Sequence, residues 1–359
     1  MGEEILLMTG ASGFLGKRIL RNYLRLEMEI YLLVQEKFVG IMGNFLDGMK
    51  HKGELRAQVK LLIGDITVPG LALTQADLHL LTERTTTVMH LAAAYNLIMP
   101  RAAGYKINVE GTRNLLDMLE RMQKLQRFGY LSTTAISGTH RGRYAESDFD
   151  VGQRFKNFYE ETKFEAEKLV RERMGHIPTT IFRPTIVVGD SKTGEIEKID
   201  GPYYGFVMVS RKVHVVLQRA PRVKCNIEPA DFVTDAIYAI MRNDNAVNKV
   251  VHIADPNPLT YDEFFDLAIE HWGTFRPLLR VPASWMYPLF FLPMVPWITG
   301  VPRQSFVYTM TPVEYGTEEM ERLLEETGIT CPPPSEYIDV MIRYFRERFD
   351  RSTASKVRW

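Results

Sequence analysis

The stretch Ile5-Leu6-Leu7-Met8-Thr9-Gly10-Ala11-Ser12-Gly13-Phe14-Leu15-Gly16 decides the fold. A short apolar run ends at Thr9, three glycines follow at spacings of three, and Lys17 to Leu26 carries the apolar periodicity of a helix. The pattern reads as strand, tight turn, helix. Gly10 permits the turn, Gly13 lets backbone N–H groups approach phosphate oxygens, and Gly16 lets the helix sit close on the strand. Thr9, Ser12, Phe14 and Leu15 fill the rest of a loop sized for a pyrophosphate, so a dinucleotide is the expected ligand.

Strands and helices continue to alternate. Segments 30–34, 60–63, 87–91, 128–132 and 179–182 read as further strands, with helices at 105–121 and 158–174. This order predicts an α/β fold: a Rossmann-type, doubly wound parallel sheet, because parallel strands need right-handed crossovers. After Arg183-Pro184 prolines and polar loops crowd the sequence, which predicts a smaller, mixed C-terminal substrate domain. The expected division is 1–190 for the dinucleotide domain with 225–255 returning to it, 191–224 and 256–350 for the substrate domain, and a frayed tail at 351–359.

Composition excludes several classes. The chain has 359 residues with 44 Lys+Arg against 44 Asp+Glu, so no overall charge draws it to nucleic acid. Cys225 and Cys331 are far apart and lack metal-ligand spacing, which argues for a reducing compartment and against a metal site. Glu3 and Glu4 stand where a signal peptide would be basic, so a cytoplasmic protein is expected. Trp285–Gly300 (WMYPLFFLPMVPWITG) complicates this: it is apolar apart from Thr299, broken by three prolines, and shorter than the roughly 20 residues of a spanning helix. It reads as a wall of a substrate pocket or as a surface in peripheral contact with a membrane.

Two further groupings carry chemistry. Tyr159 and Lys163 are four apart on a helix and share a face. A phenol is a poor acid–base group at neutral pH, and a nearby ammonium stabilises its phenolate. Ser132-Thr133-Thr134 ends the fifth strand, on the side of an open sheet where such folds bind ligands.

Thr9-Gly10…Gly13…Gly16, Gly64-Asp65, His90-Leu-Ala-Ala93, Asn108, Ser132-Thr133-Thr134, Tyr159…Lys163 and Arg183-Pro184-Thr185 together resemble the extended short-chain dehydrogenase/reductase family, in family order. The resemblance implies an enzyme, an oxidoreductase with a nicotinamide dinucleotide. It assigns Tyr159 as acid–base residue, Lys163 as its partner, and Thr134 as the substrate-polarising hydroxyl with Ser132 in reserve. Asp65 and Ile66 would edge the adenine, Leu91, Ala92 and Ala93 would floor the site, and the backbone at Pro184, Thr185 and Ile186 would meet the nicotinamide amide. Asn108 would belong to the cofactor site or simply start a helix. Gln35-Glu36-Lys37 departs from the acid or arginine that sets cofactor choice in relatives. NADP(H) is favoured, with NAD(H) open.

Later segments (Gly194-Glu195, Asp200-Gly201-Pro202-Tyr203-Tyr204, Asn226 to Val233, Thr299 to Arg303) resemble the thioester reductase and fatty acyl-CoA reductase branch. That implies reduction of an acyl thioester on CoA or a carrier protein. A sugar-nucleotide epimerase/dehydratase or hydroxysteroid-type dehydrogenase is the alternative, with Arg211, Lys212, Arg219, Arg222 and Lys224 available for a diphosphate. A cofactor-sensing, non-catalytic protein is the third reading. Family members often pair through helices, which leaves a homodimer open.

Overall fold

A computed structural model describes residues 4–350. The expected tail at 351–359 lies outside the described residues.

Seven parallel strands form the main sheet: β1 Ile5–Thr9, β2 Glu29–Val34, β3 Gln58–Ile63, β4 Thr87–His90, β5 Arg127–Leu131, β6 Thr179–Pro184 and β7 Lys249–Ile253. Their order is β3-β2-β1-β4-β5-β6-β7. The order reverses between β1 and β4, so a crevice opens at the carboxyl ends of those two strands. Alternate side chains serve opposite faces. Leu6 and Met8 pack into one core with Ile30 and Leu32, while Ile5 and Leu7 pack into the other with Tyr31 and Leu33.

The helix expected at 105–121 begins earlier and changes pitch. Arg101–Gly104 is α-helical, Tyr105–Glu110 widens to a π-helical turn, and Gly111–Leu119 resumes the α-helix. A π turn inserts an extra residue into the helical ladder and re-aims the side chains it carries. Here it carries Asn108 inward.

The second lobe has its own cores. Tyr203–Ser210, Tyr261–Trp272 and Pro334–Phe345 pack around Phe206, Phe264 and Phe345. A smaller cluster joins Met208, Phe290, Val301 and Phe306. Segment 227–253 returns to the first lobe through strand Ile227–Pro229, paired with Ile186–Val188, and through helix Ala230–Met241 and β7. The late chain also comes back. Val313–Tyr315 pairs with Gly142–Tyr144, and Met320, Leu323 and Leu324 of helix Glu318–Leu324 join the first lobe's core. Nothing in the local pattern of 313–324 marks that return; beside the strand pairing and core packing, a buried carboxylate holds it. Glu146 accepts the backbone N–H groups of Glu319, Met320 and His252 at 2.7, 3.2 and 3.0 Å, anchoring the start of that helix.

Candidate active site

The three glycines differ in what they do. Gly10 has φ +74°, and a Cβ there would lie 2.4 Å from the Ala92 nitrogen. A Cβ on Gly16 would lie 2.1 Å from the Gly10 carbonyl oxygen. Both are required by the packing of loop on strand and helix. Gly13 is not: it is exposed, and a Cβ would meet only the Gly10 oxygen at an ordinary 3.4 Å. Gly13 caps the helix Phe14–Leu24 without any side-chain hydrogen bond, and no acidic residue stands in the first turn. The first-turn N–H groups and the positive end of the helix dipole therefore suit an anion. Ser12 is half-buried in the same loop.

The end of β4 completes the floor. Thr9 Oγ1 bonds His90 Nδ1 at 2.7 Å, and Thr112 Oγ1 bonds His90 Nε2 at 3.2 Å. Burial, helped by Lys163, holds the imidazole's pKa down at about 3, so His90 is a neutral spacer. The Ala92 N–H donates to Thr9 Oγ1. Leu91 and Ala93 line the cleft. Asn108 stands behind them: its Oδ1 accepts the Ala94 N–H at 2.7 Å, and its Nδ2 donates to Thr162 Oγ1 at 3.0 Å. It ties the floor to the Tyr159 helix rather than lining the cleft. At the outer end, Gln35 Nε2 donates to Asp65 Oδ2, and Asp65 Oδ1 accepts the Thr67 N–H. Partial burial works against the charged form of Asp65, yet these hydrogen bonds prevail and hold its carboxyl below the usual range. Ile66 packs against Gly111, and Lys37 is exposed.

All three hydroxyl residues of the run, Ser132, Thr133 and Thr134, stand on the cleft wall. Ser132 donates to Glu167 Oε2 at 2.5 Å, and Thr134 donates to the Pro184 carbonyl at 3.3 Å. Both side chains are committed to structure. Thr133 Oγ1 accepts the Ala135 N–H at 3.2 Å and lies 3.5 Å from the Pro184 carbonyl oxygen, and it stands near enough to the Tyr159 phenol to act on its pKa. The strand ends at Leu131 and a 3-10 turn begins at Thr134, with Thr133 as its cap.

Asn157 caps the helix Phe158–Arg173 through the Glu160 N–H, and Glu160 in turn accepts the Lys156 N–H, which fixes the helix start beside Tyr159. Burial pushes the Tyr159 pKa up to about 12, against the lowering effect of Thr133, with Glu160 and Asp200 adding to the rise. Lys163 donates to the Leu131 carbonyl at 2.7 Å and to the Tyr130 hydroxyl at 3.1 Å. Burial lowers its pKa to about 8, with Glu167 opposing. The expectation that the ammonium draws the phenol's pKa down is therefore not met in this state: the two share the cleft wall, and the phenol stays protonated. An ammonium has three donors; two are engaged, leaving one for a ribose hydroxyl.

Below the strand ends lies a buried ion network. Arg183 Nη2 bonds Glu167 Oε1 at 2.6 Å with both side chains fully buried, and Arg171 reaches the same oxygen at 2.8 Å. Arg183 also holds the Asp148 carbonyl and His252. Sequence reading found Arg183 by its motif but missed Glu167, which the four-residue step from Lys163 could have flagged.

These parts wall one cavity of about 730 Å³. Gly10, Phe14, Leu15 and Gly16 bound it on one side, and Ser132, Thr133, Thr134, Tyr159 and Lys163 on another. Pro184, Thr185 and Ile186 continue the wall. The second lobe contributes Met208, Leu217, Met286, Phe290, Val295 and Phe306. Of the five basic residues at 211–224, Lys224 alone reaches the wall. Asp231 does not cap its helix; it accepts the Ser191 N–H and hydroxyl and roots the loop that follows β6. That loop crosses the glycine-loop helix, with Arg18 paired to Asp190 and Glu195 and Lys17 to Glu197. Its far end meets Tyr95, whose hydroxyl donates to Asp200 at 2.6 Å and whose ring packs edge-on to Tyr159 at 5.0 Å.

A parallel sheet with this order, a glycine loop at its switch point and a Thr-Tyr-Lys grouping facing it define an extended short-chain dehydrogenase/reductase. The NAD-binding family model described as male sterility protein matches residues 8–237, and the chain belongs to that family. Among curated proteins, the chain is 29% identical over 282 residues to a linear gramicidin synthase component of Brevibacillus parabrevis, covering 74% of this chain and 5% of that one. It is 27% identical over 343 residues to fatty acyl-CoA reductase wat of Drosophila melanogaster, covering 79% of this chain and 66% of that one. The chain thus spans less than two thirds of the length of these relatives. Its fold matches the terminal R domain from the myxalamid biosynthetic pathway with TM-score 0.78 at 23% identity, covering 97% of this chain and 92% of that one. No helix among the described residues is long and apolar enough to cross a membrane.

Proposed function

We propose that this protein reduces an acyl thioester, carried on CoA or a carrier protein, with NADP(H). The observation that carries the reading is the juxtaposition of a protonated phenol and a second hydroxyl, Tyr159 and Thr133, with an apolar chamber in the second lobe. The nicotinamide cofactor supplies hydride to the thioester carbonyl carbon when bound. Thr133 and Tyr159 would donate hydrogen bonds to the oxygen on which negative charge then develops, where preorganised donors act most strongly. A phenol that stays protonated at neutral pH suits this role, because in the reductive direction Tyr159 gives a proton rather than taking one. Collapse of the resulting hemithioacetal expels thiol and leaves an aldehyde, which a second reduction would take to alcohol.

Lys163 would hold a ribose hydroxyl with its remaining donor and so align cofactor and phenol. Gly13 and the capless helix start would take the pyrophosphate. Lys37, exposed after β2, supports NADP(H), since a 2′-phosphate needs a cation there. The diphosphate of a sugar nucleotide would need converging cations in the second lobe, and the wall offers Lys224 and Lys198, the latter already paired with Asp200. The test is loss of NADPH or NADH absorbance with a panel of acyl-CoAs against UDP- and GDP-sugars. Turnover of sugar nucleotides and not of thioesters would overturn the reading. Lys37→Ala should erase any preference for NADPH without changing NADH use.

A further inference from the structure

We propose that the second lobe carries a docking surface for an anionic phospholipid bilayer, built from segments 201–227 and 271–313. The chain as a whole is electrically balanced, yet these two segments hold eight Lys and Arg and no Asp or Glu. Backbone pairing brings them together: strand Val216–Arg219 runs parallel to Leu279–Pro282, and Arg211 donates to the carbonyls of Trp297 and Ile298 at 2.8 and 3.1 Å.

The surface so formed is strongly apolar. Leu278 is 84% exposed, Trp297 73%, Trp285 72% and Met294 62%. Phe291, Leu292 and Leu279 add to it. Patches of this kind are uncommon on monomers and mark contact surfaces. Trp285–Gly300 is a single layer of chain with two faces. Met286, Leu289, Phe290 and Val295 line the cavity, while Trp285, Phe291, Met294 and Trp297 lie outside. The apolar outer side chains are therefore not the surplus of a filled core.

The ring of charge selects the partner. Arg280 is matched by Asp262 and Asp266 from the neighbouring helix. Lys212, Arg219, Arg222, Arg276 and Arg303 remain exposed around the apolar patch, with the Arg303 guanidinium over the Phe291 ring at 4.5 Å. Tryptophan flanked by basic residues is the composition that settles at a headgroup boundary, and basic side chains add attraction to anionic lipid. The turns of this segment are too short to span, so the contact is peripheral. The inference uses exposure and charge alone and is independent of the thioester reading.

The test is flotation of the full chain, without cofactor or substrate, on vesicles of phosphatidylcholine and on vesicles of phosphatidylcholine mixed with phosphatidylglycerol. The mixed vesicles should carry the protein, and added salt should weaken binding. Trp285→Ser with Trp297→Ser should lower the bound fraction roughly tenfold, with an unchanged circular dichroism spectrum. Arg276→Glu with Arg303→Glu, two exposed sites, should weaken it independently. Absence of flotation on the mixed vesicles, or undiminished binding by the tryptophan variant, would overturn the proposal. So would a dimer in sedimentation that the tryptophan variant splits while the native chain ignores vesicles, since the patch would then belong to a second copy.

Discussion

Ser132 donates its hydroxyl to the buried Glu167 carboxylate at 2.5 Å. With Thr133 proposed as an oxyanion donor, the neighbouring hydroxyls should answer substitution differently. Thr133→Val should reduce turnover roughly 100-fold or more, as loss of an oxyanion donor does, with cofactor affinity kept. Tyr159→Phe should do the same or worse. Ser132→Ala should instead cost about 1–3 kcal/mol of stability, because it strips a donor from a buried carboxylate, and leave the rate per folded molecule near normal. Steady-state kinetics and urea unfolding on the three variants separate these outcomes; a Ser132 variant with normal stability and lost turnover would reverse the assignment.

The glycine loop gives a paired prediction. Gly13→Val should fold, since a Cβ there makes only an ordinary contact with the Gly10 oxygen, and lose dinucleotide binding. Gly16→Val should destabilise the protein by more than about 3 kcal/mol, because its side chain would enter the Gly10 carbonyl. Isothermal titration and thermal unfolding of both variants check this. Unchanged dinucleotide affinity in Gly13→Val would remove the pyrophosphate from that loop.

Stability should fall as pH rises through neutrality. Glu228 is buried under the cleft wall, accepts the Thr185 hydroxyl and the Asp255 N–H, and has its pKa pushed up by burial to about 8 from 4.5. Between those values the folded chain keeps a proton that the unfolded chain has released. The stabilisation is therefore full below the unfolded value and is lost as pH passes the folded one, at about 1.4 kcal/mol per pH unit for a full proton. Glu146, raised by burial to about 7, adds to the decline, while His90 and His252, both held by burial at about 3, offset it below their unfolded value of 6.5, so the net fall lies above that pH. Glu228→Gln mimics the protonated form and should flatten the upper part. Urea unfolding across the window decides; a slope unchanged by the substitution would show Glu228 ionised in the fold.

Phe290 and Phe291 are adjacent and should behave differently. Phe290 lines the cavity and packs on the Phe306 ring at 4.5 Å, whereas Phe291 is 57% exposed. Phe290→Leu should alter KM for long acyl chains more than for short ones. Phe291→Ala should leave both untouched with soluble substrates. Equal shifts for long and short chains in Phe290→Leu would take the acyl chain out of that chamber.

The sheet was legible because each strand carries its own apolar run and the glycine spacing locates the switch point. The catalytic helix was legible for the same reason, through Tyr159 and Lys163. What escaped depends on phase and distance. The bonds that Ser132, Thr133 and Thr134 make lie where the strand gives way to a 3-10 turn, and no periodicity predicts them. The partners of Lys163 are a strand carbonyl and Tyr130, over thirty residues earlier in the chain. The return of Glu318–Leu324 to the first lobe combines the carboxylate of Glu146, a strand pairing with Gly142–Tyr144 and three apolar side chains, all set by partners far off in the chain.

The clasp over the glycine-loop helix carries a kinetic consequence. Arg18 and Lys17 grip Asp190, Glu195 and Glu197, while Asp200 at the far end of the same loop is latched to Tyr95. Under the proposed reading, spent dinucleotide would leave past that strap, and its opening would then cap turnover ahead of bond-making at the carbonyl. Salt would loosen the Glu195 and Glu197 ends, which are about half exposed, more than the largely buried Arg18–Asp190 pair, and so would speed rather than slow the steady state.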